Sequence, residues 1–261
     1  MKLISLNTWG GRHFEPLINF IKQHCQDTDI FCFQEIYDTK SDVKKHQSIR
    51  ANLLSEIKDV LDNFQVFYFP ILNGFDDKAK PVTFDLTYGL AIFIKDSVKI
   101  SSKNSYILYK DGNFQTLNED FSNIPTPLQC ISLHFDNKKF SIFNFHGTPV
   151  PGDKLDTNKR LTEIKKLKEI IDSKQGAKIL VGDFNLLPET KSIKIIEENM
   201  KNLIKEFKIQ RTRSKLSPFY GGSDFQKFAD YTFVSKDVEL KSFEVPKTEI
   251  SDHLPMILEF S

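Results

Sequence analysis

A chain of 261 residues suits one large domain or two small ones, and it is long enough to bury a substantial core. With 39% hydrophobic and 27% charged residues it has the composition of an ordinary soluble globular protein, and Phe, at 24 copies, is its main core filler. Lys plus Arg number 36 against 35 Asp plus Glu, so a formal charge of +1 excludes the overall basic field of a dedicated nucleic-acid binder.

Near-neutrality does not exclude an enzyme acting on nucleic acid, because a cleft can be locally basic and a bound metal adds charge. Cys25, Cys32 and Cys130 are odd in number and none belongs to a CxxC pair, which argues against a disulfide framework or a structural zinc site. Met1 to Ser5 leads straight into a strand pattern rather than a secretory signal, and no apolar run reaches the length of a membrane span. A soluble cytoplasmic protein is expected.

Along the chain, apolar runs of strand length alternate with helix-period segments. Lys2 to Leu6 reads as a first strand. Phe14, Leu17, Ile18 and Ile21 follow helical spacing, with Pro16 tolerable in the first turn. Ile30 to Phe33 reads as a short buried strand. From Ser41, as N-cap, the positions Ile49, Leu53, Ile57 and Val60 predict an amphipathic helix. Val66 to Phe69, Tyr88 to Ile94, Leu128 to Leu133 and Phe140 to Phe145 read as strands. Leu161, Ile164, Leu167 and Ile171 form a helix stripe, with Asp156 or Thr157 as cap. Ile179 to Val181 is a strand, and Ile193, Ile196, Met200, Leu203 and Phe207 are again helical. Tyr231 to Val234, Val238 to Val245 and Met256 to Phe260 close the chain as strands. Three stretches read as long loops: Ile71 to Thr87, Asn104 to Thr126 and Arg211 to Ala229. Strand-rich halves that each carry helices predict two packed sheets covered by helices. No linker or repeat divides the chain, so residues 1–261 are read as a single domain.

Polar residues recur at the ends of the apolar strands. Asn7 follows LISL, Gln34 and Glu35 follow IFCF, and His146 follows SIFNF. Asp183 and Asn185 follow KILV within GDFN, Asp230 opens DYTFV, and Asp252 and His253 precede LPMILEF. Residues at strand ends can converge on one rim of a sheet. Carboxylates, amides and histidines without thiolates match a hard, oxygen-preferring ion such as Mg²⁺ or Mn²⁺. Phosphoester hydrolysis needs such an ion, a group that orients the attacking water and a donor for the leaving oxygen.

The motifs LNTWG (Leu6 to Gly10), QE (Gln34, Glu35), NFHG (Asn144 to Gly147), GDFN (Gly182 to Asn185), ADY (Ala229 to Tyr231) and SDH (Ser251 to His253) stand in one order along almost the whole chain. In that order the sequence resembles the endonuclease/exonuclease/phosphatase superfamily of metal-dependent phosphoesterases. The resemblance implies an α+β fold, a four-layer α/β/β/α sandwich of two mostly antiparallel sheets flanked by helices. It also implies roles. Glu35 would be the main metal ligand, with Asn7 and Asp252 nearby. Asp183 would orient or deprotonate the attacking water, and Asn185 would hold a phosphate oxygen or a second metal. His253 would contact the scissile phosphate, with Asp230 fixing its tautomer. His146 would stabilise the transition state or protonate the leaving group. The extra acidic residue that some relatives place close to the Asn7 motif is absent here.

Each of these residues also has a plainer reading. Glu35 suits an exposed loop acid, Asp183 and Asn185 suit turn formers, His146 a satisfied core histidine, and Asp230 a strand cap. It is their joint occurrence that favours chemistry. GTPVPGDK (Gly147 to Lys154) looks superficially like a phosphate loop but fails: the spacing is wrong, no Ser or Thr follows Lys154, and two prolines remove amide donors. Arg160 reads equally as a loop anchor, a phosphate contact or a solvated helix residue. The segment from Gln210 to Gly222 interleaves Arg211, Arg213 and Lys215 with Phe219 and Tyr220, a pattern that either grips phosphates and bases or forms a solvated loop.

The expected activity is divalent-metal-dependent phosphodiester hydrolysis by in-line attack of an activated water, with DNA or RNA as the leading substrate. A small or lipid-derived phosphoester is the alternative, and an inactive scaffold the reading from another class. GDFN is followed by Leu186 and Leu187 with no Arg, and ADY lacks a Cys-Asp-Arg pattern, which counts against an inositol 5-phosphatase. No apolar membrane-docking loop favours a sphingomyelinase. No obligate protein partner is expected.

Overall fold

Two parallel strand–helix–strand units fix the frame. In the computed structural model, which describes residues 1–109, 121–122 and 124–261, β1 (Lys2–Asn7) crosses through α1 (Phe14–His24) to β2 (Ile30–Asp38), its parallel neighbour. Both strands are covered on both faces, which is why they read as unbroken apolar runs. β2 does not stop at Phe33: it continues to Asp38 through a bulge between Phe33 and Ile36. A small hairpin follows, β3 (Lys45–His46) and β4 (Ile49–Arg50), and then α2 (Leu53–Val60). The predicted helix from Ser41 is therefore shorter than its apolar spacing suggested. Ile49 belongs to the hairpin, and Asn52 stands at the helix N-cap.

β5 (Phe64–Asn73) and β6 (Thr87–Lys95) complete the first sheet from one side. β7 (Ile100–Tyr109) and β8 (Thr126–Phe135) pair in the second. β7 replaces the first part of the loop expected from Asn104. The remainder of that loop, residues 110–120 and 123, lies outside the described residues. β7 escaped the apolar pattern because it is an edge strand carrying Ser101, Ser102, Lys103, Asn104 and Ser105.

β9 (Lys138–His146), α3 (Asn158–Ser173) and β10 (Ala177–Asp183) form the second parallel unit. Thr157 caps α3 by accepting from the Arg160 amide. Asp156 instead accepts from the amides of Lys191 and Ser192 at the start of α4 (Lys191–Glu197). The continuous helix expected through Phe207 is broken: α4 ends, β11 (Lys201–Asn202) pairs with the sheet, and the Asn202 side chain caps the short α5 (Leu203–Glu206). β12 (Asp230–Val234) joins the second sheet, and β13 (Leu240–Glu244) and β14 (Met256–Phe260) join the first.

The strand orders are β13-β14-β1-β2-β6-β5 and β11-β12-β10-β9-β8-β7. Period-two alternation sorts the side chains. Ile30 and Cys32 face the core shared with the second sheet, whereas Phe31 and Phe33 pack with Leu17, Ile21, Leu53 and Ile57 under α1 and α2. Ile164, Leu167, Ile171 and Ile193 bring α3 and α4 onto the second sheet. The result is the four-layer α/β/β/α sandwich. Among the described residues no helix is long and apolar enough to cross a membrane.

Candidate active site

Topology brings the chemistry to one edge. β1 with β2, and β9 with β10, run parallel, so their C-terminal ends fall together, and the antiparallel β12 and β14 begin there. In register, Asn7 stands beside Gln34, and Asp183 stands between His146 and Asp230. Gly182 and Gly147 allow the close packing this requires: a Cβ at Gly182 would lie 2.0 Å from the Phe145 carbonyl oxygen, and one at Gly147 2.4 Å from that of Phe184.

The two sheets meet through amides. Gln34 donates to Asn144 Oδ1 at 2.6 Å, and Asn144 donates to the Phe33 carbonyl at 3.1 Å and to Gln129 at 3.2 Å. Above this relay, Asn7 Nδ2 donates to Glu35 Oε1 and to Asp183 Oδ2, each at 3.0 Å, joining a carboxylate of one sheet to a carboxylate of the other. Thr8 Oγ1 donates to the carbonyl of Glu35 at 3.0 Å and so steadies the bulge that turns this side chain toward the site. Trp9, Glu35, Lys154 and Asn185, all at the site, have positive φ of 52°, 59°, 58° and 52°. Such backbone strain in non-glycine residues gathers at functional sites.

His253 Nδ1 lies 2.8 and 2.9 Å from the two oxygens of Asp230, and its Nε2 lies 3.6 Å from Asp183 Oδ2. His146 Nε2 is 3.8 Å from the same Asp183 oxygen, with the Tyr88 hydroxyl 3.4 Å from its Nδ1. Asp183 Oδ1 accepts the Asn185 amide at 2.8 Å, and Asn185 Nδ2 donates to the Gly147 carbonyl at 3.1 Å. Burial works against charge on Asp183, but His253, Lys154, His146 and Arg213 outweigh it and hold its carboxyl well below the usual range. Burial, followed by Asp183, pushes Asp230 up. Burial pushes Glu35 up against the hydrogen bond from Asn7, and pushes Asp252 up against His253 and Arg213. Burial and then Arg213 lower His253 to about 4, and burial lowers His146.

Glu35, His146, Lys154, Asp183, Asn185, Arg213, Asp252 and His253 line one cavity of about 780 Å³, while Asn7 and Asp230 reach it through their hydrogen bonds to Glu35, Asp183 and His253. Its walls include Trp9, Tyr37, Tyr88 and Phe225, and its rim carries Asp77, Asp153 and Asp224. Arg12 pairs with Asp77 there.

All eight residues read from the sequence as catalytic or metal-binding therefore gather at one edge. The three arginines separate. Arg213 enters the cavity, donating to Asp252 Oδ2 at 2.6 Å and to His253 Nε2 at 2.7 Å. Arg211 lies with its guanidinium 5.2 Å from the Tyr220 ring, and Lys215 lies 3.9 Å from Glu249. Arg160 is 1% exposed and directs its donors to the carbonyls of Thr148, Pro149, Pro151 and Leu155, so it anchors the 148–155 segment from below and does not line the cavity. Sequence reasoning missed Lys154 and Tyr88. Lys154 is buried with its ammonium on Asn185 Oδ1. Its only signal was its position in a rejected phosphate-loop pattern.

The donor set fits a hard divalent cation. Among the described residues Glu35 receives a single hydrogen bond, from Asn7, which leaves carboxylate lone pairs facing the cavity. Asp183, Asp230 and His253 also present ligand atoms within 4.8 Å of one another. Asp252 is engaged by Arg213, so any ion bound there competes with that guanidinium.

A four-layer sandwich with carboxylates, amides and histidines converging at its strand ends defines a hydrolase of the two-sheet phosphoesterase type. The chain belongs to the endonuclease/exonuclease/phosphatase family, whose sequence profile matches residues 4–253. Members of this family are hydrolytic phosphoesterases. Similar solved structures include a family protein from Leptotrichia buccalis, at 16% identity and a TM-score of 0.72 over 100% of this chain and 99% of that one. A mannosyl-6-phosphatase from Bacteroides thetaiotaomicron gives 18%, 0.69, 100% and 99%, and the human Nocturnin catalytic domain 17%, 0.65, 100% and 93%. At these identities the likeness is one of fold. No curated protein matches the chain by sequence.

Proposed function

We propose that the protein hydrolyses a compact phosphoester by attack of an oriented water, assisted by Mg²⁺ or Mn²⁺. The observation that carries this reading is the convergence of Asn7, Glu35, His146, Asp183, Asn185, Asp230, Asp252 and His253 on one cavity edge. Glu35, with Asn7 and Asp252, would hold the ion, which supplies positive charge to the phosphoryl oxygens. Asp183 stays ionised, so it orients the water and takes its proton as the water oxygen bonds to phosphorus and the bond from phosphorus to the leaving oxygen breaks, releasing the alcohol and phosphate. Asp230 accepts from Nδ1 of His253 and Arg213 donates to its Nε2, so the pair presents a guanidinium held in place by the imidazole to the phosphate. His146, neutral from burial, is positioned to stabilise charge on the leaving oxygen.

Two features favour a compact substrate over the polymer expected from the cationic loop. Arg211 sits against the Tyr220 ring, and of the acids lining the cavity Asp77 is paired with Arg12 and Asp153 with Arg160, which leaves Asp224, without an ion-pair partner among the described residues, to repel a flanking phosphate. A second reading, single-stranded nucleic acid, is favoured by Phe219, which is 60% exposed and offers an aromatic face for stacking on a base, beside Tyr220, which is 44% exposed. The test is a screen of the purified protein with Mg²⁺ or Mn²⁺ against sugar phosphates, aryl phosphoesters, oligonucleotides, abasic duplex and plasmid. Turnover of small esters that chelation abolishes is the expected outcome. Efficient cleavage of oligonucleotides alone would move the substrate to nucleic acid, and turnover that survives exhaustive chelation would remove the metal.

A further inference from the structure

Lys154 is a buried cation at the site to which the reaction above gives no task. The residue is 9% exposed and lines the cavity. Its backbone has φ of 58°, and its carbonyl accepts the Leu187 amide at 2.9 Å. It lies on the segment that Arg160 holds through four carbonyls. The position is therefore built rather than left to a flexible chain.

An ammonium carries three donors. Among the described residues Lys154 Nζ has one acceptor, Asn185 Oδ1, and no carboxylate lies within 4.0 Å of it. Asp183, the carboxylate that does most to favour charge on Lys154, already accepts from Asn7 and from the Asn185 amide and faces two imidazoles. A buried charge without an ion-pair partner is expensive unless a ligand completes it. The ligand completing an ammonium at a cavity wall is an anion. Asn185 Oδ1 is also the oxygen that a second metal ion would need on this side, and the ammonium sits on it. A second hard cation would require several more oxygen ligands there.

Resting on the phosphoesterase reading, we propose that Lys154 binds a non-bridging oxygen of the substrate phosphate from the Asn185 side of the cavity. There it serves as a fixed second positive charge opposite a single divalent ion on the Glu35 side. It makes and breaks no bond; it holds the phosphoryl group and stabilises its charge.

The test is calorimetric titration of the wild type, Lys154→Met and Lys154→Arg, first with Mn²⁺ and then with inorganic phosphate at saturating Mn²⁺. The wild type takes up one Mn²⁺ per chain. Lys154→Met keeps the Mn²⁺ affinity within about three-fold and loses about ten-fold or more in phosphate affinity. Lys154→Arg recovers part of the phosphate affinity. Unchanged phosphate affinity in Lys154→Met, or two Mn²⁺ per wild-type chain, overturns the proposal. If Lys154→Met does not fold, the Nζ resonance of lysine-labelled wild type decides: it shifts with phosphate if Lys154 binds it, and stays fixed if it does not. A wild type that binds neither Mn²⁺ nor phosphate, and hydrolyses no phosphoester, would remove the phosphoesterase reading itself. Normal turnover with an unaffected Lys154→Met removes only the lysine's role.

Discussion

Arg213 donates to Nε2 of His253 at 2.7 Å while Asp230 holds Nδ1 of the same ring at 2.8 Å. The imidazole is thereby fixed as the Nδ1–H tautomer, with its second nitrogen already accepting from a guanidinium. An anion reaching His253 meets Arg213 at the same point. Arg213→Ala should raise KM about ten-fold, through loss of a charge-assisted contact, with a smaller effect on kcat. It should also raise the His253 pKa from about 4, because a neighbouring cation is removed. An imidazole NMR titration and steady-state kinetics check the two halves separately.

Glu35→Gln should weaken Mn²⁺ binding at least about ten-fold without lowering the melting temperature. Burial already pushes this carboxyl above its ordinary range, so losing the charge removes a penalty. Calorimetry and thermal melting, run on the same preparation, report both. Normal metal binding would take Glu35 out of the ion's coordination.

Asp183→Asn should reduce turnover by roughly two to three orders of magnitude. It should also destabilise the fold by roughly 1–3 kcal/mol, since the charge of Lys154, Arg213 and any protonated imidazole loses its counterweight. Here, unlike at Glu35, activity and stability fall together, and denaturant titration beside kinetics separates the two cases.

Acid should destabilise the protein through His253. Its folded pKa, about 4, lies below the unfolded value of 6.5, so between these limits the unfolded chain binds more protons. The contribution is fully present above about 6.5, is lost as the pH falls to about 4, and is constant below; its size is on the order of 3 kcal/mol. Glu35, Asp230 and Asp252 have raised values and act in the opposite sense, so the test is a difference. Stability plotted against pH should be flatter for His253→Gln than for the wild type across this window, and parallel curves would contradict the assignment.

Arg160→Met should destabilise by roughly 2–4 kcal/mol, because carbonyls of Thr148, Pro149, Pro151 and Leu155 lose a buried donor. The 148–155 segment should then become sensitive to limited proteolysis. An unchanged cleavage pattern would show that the segment holds itself.

The legible parts of the fold were those where burial leaves a periodic trace. β1, β2, β6, β9 and β10 are apolar runs because sheets and helices cover them. α1 and α3 carry clean apolar stripes. Edge positions left no such trace. β7 alternates polar residues toward solvent, and the break between α4 and α5 lies within a stripe that stays in helical phase from Ile193 to Leu203.

By itself, the sequence determined the type of chemistry: hard oxygen and imidazole donors, each closing an apolar strand or opening one. Those donors are local features, written beside the residues that bury each strand. Tertiary structure alone decided which long-range partners complete them. Arg213 lies 40 positions from His253, and the packing of the two sheets brings them together; Lys154 lies 31 positions from Asn185, and the parallel pairing of β9 with β10 does the same for them. Nothing in the local sequence distinguishes Arg213 from Arg211, or Lys154 from a solvated loop lysine. The cavity separates them, because a charge held there is stable only against the groups that the opposite strands present.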